Sequence, residues 1–143
     1  MKELLAHLTG DYLAQTGWMA TNKTSRSDAA AVHAVTYAAC FLPVTHNWKA
    51  LALIGGTHFA IDRWRLVKRF IWARDQIAPS DFRHPWDDHV SETGFHRSSA
   101  WGDEDACSVQ ARPAWLGTAL MIVSDNAIHM LINRWALGKW SKS

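Results

Sequence analysis

The sequence contains little cysteine, no long apolar run and almost no excess of charge of one sign. Its two cysteines, Cys40 and Cys107, form no metal-binding or redox motif, which argues against a disulfide framework and favours a reducing compartment. Fifteen Lys and Arg residues against thirteen Asp and Glu residues give a formal net charge of +2. That balance argues against a binder of duplex nucleic acid, which would carry a concentrated basic stripe.

The most apolar segments are each shorter than the roughly 20 residues that a membrane-spanning helix needs, or contain a His or an Asp. The N-terminal residues also lack the uninterrupted apolar region of a signal peptide. The mean hydropathy of −0.16 points the same way. We therefore expect a cytoplasmic protein, with association with the inner membrane as the alternative.

The apolar residues recur at helical spacing almost throughout, without strand-type alternation or an internal repeat. This pattern predicts an all-α protein of one domain over residues 1–143, with four helices at residues 2–15, 28–42, 48–77 and 113–137. Short first connections favour an antiparallel four-helix bundle. Asn47 is predicted to cap the third helix, and Gly55-Gly56 to mark a bend or a close-packing point within it. The segment 78–112 is predicted to be an irregular loop before the last helix, of the kind that often acts as a lid.

Pairs of His and Asp four residues apart occur on three of the four predicted helices. Residues with this spacing lie on one face of a helix, so both side chains can reach one metal ion. Apolar neighbours predict that the pairs face the interior, where a carboxylate needs a cationic partner or a metal. With one further His on the remaining helix, the predicted metal ligands are His7, Asp11, His33, His58, Asp62, Asp125 and His129.

Seven candidate ligands are too many for one tetrahedral ion, so two divalent ions are predicted. Ligation by nitrogen and oxygen without sulfur suits Zn²⁺, with Mn²⁺ or Fe²⁺ as alternatives. Some of the seven can instead orient the ligands, and one Asp can act as a general base. The simpler alternative is a set of local His–Asp hydrogen bonds. The catalytic candidates are Asp11, Asp62 and Asp125.

Five further residues are predicted to face a substrate: Gln15, Arg63, Arg65, Trp86 and Trp101. The glutamine lies one helical turn beyond the first Asp of the ligand set. The two arginines follow the second Asp and offer the forked donors that suit phosphate. The two tryptophans lie in the long loop and can stack on a base. The alternatives are an ordinary buried amide, a solvated basic face and a small core within the loop.

Three segments carry a resemblance to a known family: HLTGDYLAQTGWMATNK, GTHFAIDRWR and PAWLGTALMIVSDNAIHMLIN. Together they resemble the bacterial and phage family known as domain of unknown function 3307, over nearly the whole chain. More distantly, paired His-x3-Asp motifs on a helical scaffold are similar to the zinc-dependent phospholipase C and S1/P1 nuclease group and to membrane-bound metal-dependent hydrolases. In those groups such pairs hold zinc that hydrolyses phosphoester bonds. The resemblance implies that His7, Asp11, His58 and Asp62 are ligands.

We therefore expect a metal-dependent hydrolase, a phosphodiesterase or phosphatase acting on a small nucleotide-type phosphoester. If the chain is viral, a signalling nucleotide of host defence is a candidate substrate. One alternative is a non-catalytic module in which metal staples the helices while the chain binds a ligand or protein. Another is a small membrane protein with an intramembrane His/Asp site. Metal-dependent turnover separates the first two, and solubility without detergent separates the third. A homo-oligomer is compatible with each.

Overall fold

The computed structural model describes residues 1–78 and 114–140, with side chains from residue 119 onwards in the second range. These residues form six helices and no strand, which confirms the all-helical class. The helices are α1 (Lys2–Leu8), α2 (Gly17–Asn22), α3 (Ser27–Ala39), α4 (Trp48–Arg63), α5 (Leu66–Asp75) and α6 (Ala114–Trp140). The predicted antiparallel arrangement of four helices stays a prediction. Among the described residues, no helix is both long and apolar enough to cross a membrane.

The chain divides into two compact units. The first, Met1–Leu66 with Asn126–Ser143, has a core to which α1, α3, α4 and α6 contribute. The buried residues of this core are Ala6, Tyr37, Phe41, Ile54, Ala136 and Leu137. The second unit is Val67–Asp125, in which α5 buries Val67 and Ile71, four residues apart on one helical face. The first unit contains every described residue of the predicted site except Asp125.

Helices α3 and α4 approach each other closely because small residues line their contact. A Cβ atom added at Gly55 of α4 would lie 3.2 Å from the Cβ of Ala38 and 3.4 Å from the carbonyl oxygen of Ala34. The prediction of a close-packing point therefore holds for Gly55, and α4 runs through it without ending. His33 and His58 flank this contact on the two helices, so the close approach brings their side chains together.

Three features of the helices differ from those predicted. An additional helix, α2, forms between the first two predicted helices, where no helix was predicted, and Thr16 caps it by accepting a hydrogen bond from Met19 N at 3.3 Å. The predicted helix over 48–77 is broken at Arg65, whose φ of 50° is left-handed and cannot continue a helix. The predicted cap at Asn47 is confirmed, because its Oδ1 accepts from Lys49 N at 3.0 Å. The first predicted helix changes at Thr9–Leu13 into a π-helical turn.

The π-helical turn packs directly on α3 through a glycine. A Cβ atom at Gly10 would lie 2.5 Å from Cδ2 and 3.2 Å from Cα of Tyr37, and the second of these atoms is backbone. We expect Gly10→Ala to lower the free energy of unfolding by about 1–3 kcal/mol, the usual cost of overpacking. Chemical denaturation measures this change.

Gly56→Ala is the matched control for Gly10→Ala. An added Cβ at Gly56 meets no atom within 4 Å. Because Ala is a better helix former than Gly, this variant should gain about 0.5–1 kcal/mol. Equal stability of the two variants would contradict the contact between the π-helical turn and α3.

Candidate metal centre

Four side chains from three parts of the chain meet at one point. They are Asp11 of the π-helical turn, His33 of α3, and His58 and Asp62 of α4. His33 Nε2 and His58 Nε2 are 2.9 Å apart. Asp11 Oδ1 lies 3.6 Å from His33 Nε2 and 3.3 Å from His58 Nε2. Asp62 Oδ2 lies 3.3 Å from each of these two nitrogens.

Four of these five distances equal those expected between two ligands of one small cation, and the distance between the two histidines is shorter. Nitrogen and oxygen ligands placed tetrahedrally at about 2.0–2.2 Å from Zn²⁺ lie about 3.3–3.6 Å from one another. The five distances between these atoms run from 2.9 to 3.6 Å. Within the described residues, two sets of three have ligand atoms that all lie within 4.8 Å of one another: Asp11, His33 and His58, and His58, Asp62 and His129. The four atoms therefore form a pocket with the size and donors of a divalent-cation site.

The two carboxylate oxygens of the cluster have ion-pair contacts but no hydrogen bond of ordinary geometry. Asp11 Oδ1 and Asp62 Oδ2 are buried and accept no hydrogen bond of good geometry from the described residues. Burial by itself would raise the pKa of the Asp11 carboxyl, but the contacts with His33 and His58 outweigh it and hold that pKa well below its usual range. The pKa of Asp62 is lowered by the same two histidines against the same effect of burial. Both carboxylates are thus ionised at neutral pH and available to a cation.

His58 contacts His33, Asp11 and Asp62 through Nε2 and contacts His129 through Nδ1. Burial would lower the pKa of His58, but Asp11 and Asp62 raise it above its ordinary value. His129 Nδ1 is 3.2 Å from His58 Nδ1, the ring nitrogen turned away from the four-atom pocket. Burial and the charge of His58 lower the pKa of His129 to about 3, so His129 is neutral. Its Nδ1 can accept a hydrogen bond from the N–H group at His58 Nδ1. This hydrogen bond would orient the His58 ring so that its Nε2 faces a metal.

His7 takes part in a buried hydrogen-bond network next to the pocket. Its Nδ1 lies 2.7 Å from the Tyr37 hydroxyl and its Nε2 lies 2.8 Å from Asn126 Oδ1. Because an amide oxygen only accepts, His7 Nε2 donates to Asn126 when the ring is neutral, and Tyr37 then donates to His7 Nδ1. Asn133 Nδ2 donates to the same hydroxyl at 2.6 Å.

Two residues of this network, Tyr37 and His7, contact members of the four-residue cluster. The Tyr37 ring stacks on the His58 ring with centroids 3.7 Å apart, and His7 Nδ1 lies 3.4 Å from Asp11 Oδ2. His7 was predicted to be a ligand, but its two ring nitrogens already have hydrogen-bond partners. Its contact with Asp11 allows it to orient this carboxylate, and its role as a ligand stays a prediction.

Lys23 forms an ion pair with Asp62 at the more exposed edge of the cluster, and the sequence did not predict a role for it. Its Nζ lies 2.9 Å from Asp62 Oδ2 and 3.4 Å from His33 Nε2, and it donates to Gln15 Oε1 at 2.9 Å. The side chain is 20% exposed, against 0% for His33. The predicted substrate-side residue Gln15 thus contacts the cluster through this lysine. Lys23 follows α2, which the sequence did not predict, so its position could not be foreseen.

The other predicted substrate-side residues are not brought into the cluster by contacts that the structure describes. Arg63 donates from Nε to Ser27 Oγ at 3.1 Å and from Nη1 to the carbonyl oxygen of Thr24 at 3.0 Å. Arg65 contacts the Thr24 hydroxyl at 3.4 Å. Both arginines therefore hold the connection between α2 and α3, which explains their position without a phosphate.

Three predicted site residues remain to be placed. Trp86 and Trp101 lie outside the described residues, as does nearly all of the predicted lid. Asp125 is half-buried and belongs to neither of the two sets with metal-ligand spacing. The cluster that the structure assembles is therefore narrower than the predicted seven ligands, with four residues around one point and His129 behind them.

The fold and the cluster define a class of protein: an all-helical protein with a buried His/Asp centre of metal-ligand geometry. The chain belongs to the family of proteins of unknown function DUF3307, whose model matches residues 1–82. This match confirms the resemblance to this family over residues 1–82, which contain the first two of the three segments, and it spans the elements that supply Asp11, His33, His58 and Asp62. Neither the curated proteins nor the solved structures include a match.

Proposed function

We propose that the protein is a metal-dependent hydrolase of phosphoesters whose ion is bound by Asp11, His33, His58 and Asp62. The observation that carries this proposal is the convergence of two buried imidazole nitrogens with two oxygens of ionised carboxylates, each oxygen within 3.6 Å of both nitrogens. Two buried carboxylates need positive charge beside them, and a divalent ion would supply it at the point where the four side chains meet.

The donor set favours catalysis over a purely structural ion. Structural zinc sites are usually built from cysteines, whereas catalytic sites use histidines with carboxylates. A bound ion of this kind lowers the pKa of water and polarises a phosphoryl oxygen. Asp11 supports this use because it lies in a π-helical turn, a feature frequent at functional sites, and is 10% exposed. Movement of this carboxylate would open a position for water beside the pocket.

The proposal includes one ion, with two as the alternative. A second ion would use His129 together with the other ring nitrogen of His58, the set that also contains Asp62. One ion is favoured because His58 Nδ1 and His129 Nδ1 are 3.2 Å apart, which suits a shared proton. Zn²⁺ is the expected ion, and Mn²⁺ or Fe²⁺ are the alternatives. The expected substrate is a small nucleotide-type phosphoester.

A second candidate function is a non-catalytic module that the ion holds together. Four protein ligands fill a tetrahedral ion completely, as in structural sites, and this specific observation favours it. The two functions differ in turnover. We therefore propose to assay protein loaded with Zn²⁺ or Mn²⁺ on p-nitrophenyl phosphate, bis-p-nitrophenyl phosphate and a panel of linear and cyclic nucleotides.

The assay compares the wild type with Asp62→Asn and with His46→Ala. His46 is an exposed histidine of the turn before α4 and belongs to neither metal-ligand set, so His46→Ala is a matched control. Turnover that needs metal, is lost in Asp62→Asn and is kept in His46→Ala supports the hydrolase. Stoichiometric metal without turnover on any of these substrates supports the stapled module instead.

The affinity for metal should rise with pH. An ion must displace the proton of His58, whose pKa lies above its ordinary value of 6.5 in the metal-free protein because Asp11 and Asp62 face it. Below that raised pKa we expect the Zn²⁺ affinity to fall by up to about tenfold per pH unit. Above it, proton competition at this group ends. Competition titrations with a chromogenic chelator between about pH 6 and 9 measure the slope. An affinity independent of pH over this interval would rule out His58 as a ligand.

A further inference from the structure

We infer that Lys23 binds the anionic group of the substrate beside the metal, and that it holds Asp62 only while the metal is absent. The inference rests on the proposed metal centre and names the class of ligand as a phosphate group. In the structure the Lys23 ammonium lies 2.9 Å from Asp62 Oδ2 and 3.4 Å from His33 Nε2. It is thus the cation that now neutralises this side of the pocket.

A metal ion cannot enter without changing the contacts of Lys23. The ion would lie about 2 Å from Asp62 Oδ2 and from His33 Nε2, the same two atoms that Lys23 Nζ contacts. With Nζ unmoved, the two cations would be at most about 5 Å apart, the sum of the two distances through Asp62 Oδ2. Since the ion takes the charge of Asp62, the attraction that holds the ammonium there is replaced by repulsion.

Once a metal ion has replaced its contact with Asp62, the Lys23 ammonium group can bind an incoming anion. The Lys23 side chain is 20% exposed and is the most exposed of those that contact Asp62 Oδ2. Its ammonium group can therefore turn toward solvent while it stays close to the cluster. Gln15 Oε1 accepts from the same ammonium at 2.9 Å and provides a contact that does not depend on Asp62. A lysine ammonium next to a divalent ion suits a phosphate group, because oxygens on one phosphorus atom can contact both cations.

The experiment uses the full chain as wild type, Lys23→Met, Lys23→Arg and Lys49→Met. Lys49 is an exposed lysine in the first turn of α4, nine residues or about 13 Å along the helix from His58. Its substitution therefore removes the same charge at a distance. Two quantities are measured for each protein: the Zn²⁺ affinity by competition with a chromogenic chelator, and the affinity of the Zn²⁺-loaded protein for inorganic phosphate by calorimetry.

We expect Lys23→Met to bind Zn²⁺ about tenfold more tightly than the wild type and to bind phosphate at least about tenfold more weakly. Lys23→Arg should keep phosphate affinity near that of the wild type, and Lys49→Met should change neither quantity. Unchanged phosphate affinity in Lys23→Met overturns the inference. Weaker Zn²⁺ binding in that variant, with the fold intact by circular dichroism, also overturns it, because Lys23 would then support the ligands.

The same measurements separate failure of this inference from failure of the proposed function. If the wild type binds no Zn²⁺, Mn²⁺ or Fe²⁺, the proposed metal centre is wrong and the inference falls with it. If the wild type binds the ion but Lys23→Met behaves like Lys49→Met, the metal centre stands and only the role of Lys23 is wrong. Loss of folding in Lys23→Met leaves Lys23→Arg as the deciding variant, and a tenfold loss of phosphate affinity there counts against the inference.

Discussion

Removing the proposed metal ion from the native protein is expected to lower its midpoint of thermal unfolding by about 10 °C or more. The ion would be bound only by the folded chain, because its ligands come from residues as far apart as Asp11 and Asp62. An ion present at 1,000 times its dissociation constant stabilises the folded state by about 4 kcal/mol. For domains of this size one kcal/mol corresponds to a few degrees in the unfolding midpoint. Differential scanning calorimetry before and after chelation measures the shift.

Two controls connect this shift to the proposed ligands. Adding back Zn²⁺ in excess of the chelator should restore the original midpoint. The variant Asp62→Asn, which loses one of the two charged ligands, should show little shift on chelation because it holds little metal to begin with. If mass spectrometry verifies complete removal of metal and the wild-type midpoint does not move, neither a catalytic nor a structural ion is bound at this centre.

The sequence predicted the helical class well because its signal is local. Apolar residues at helical spacing and the cap at Asn47 are properties of neighbouring residues, and the structure confirms both. It predicted boundaries less well where a tertiary contact or an unusual backbone decides them. The break at Arg65 comes from a left-handed residue that no glycine or proline announces. The π-helical turn at Thr9–Leu13 accompanies the contact between Gly10 and Tyr37, which is distant in sequence.

The spacing of the His/Asp pairs indicated which faces would meet, but it could not divide ligands from their supports. His7 and Asp11 share a face, as do His58 and Asp62, and all four lie in or beside the cluster. Which nitrogen of a histidine is already engaged depends on partners from other helices. Tyr37 and Asn126 engage His7, and neither carries a signal in the sequence that would reveal this contact.

The same limitation applies to Lys23, which the sequence analysis did not select, and to the two arginines, which it predicted to face a substrate. A lysine in a polar stretch is ordinarily solvated, and only the capped turn of α2 brings it to Asp62. Arg63 and Arg65 directly follow Asp62 in the sequence, which suggested phosphate binding. Their side chains instead contact the residues just after α2. Proximity in sequence to a ligand is therefore a weak guide to the direction of a long side chain.

Replacing His33 by alanine should abolish tight metal binding, whereas replacing His7 should mainly destabilise the fold. His33 Nε2 lies within 3.6 Å of the three other proposed ligand atoms, so we expect His33→Ala to lower Zn²⁺ affinity by about 100-fold or more. His7→Ala removes hydrogen bonds to Tyr37 and Asn126 from a buried network, which costs about 2–4 kcal/mol of unfolding free energy. Its effect on Zn²⁺ affinity should stay within about tenfold, since it acts only through Asp11 and Tyr37. Metal content after dialysis and chemical denaturation, measured on both variants, give the two quantities. Loss of metal from His7→Ala to the same degree as from His33→Ala would make His7 a ligand, as its spacing from Asp11 first indicated.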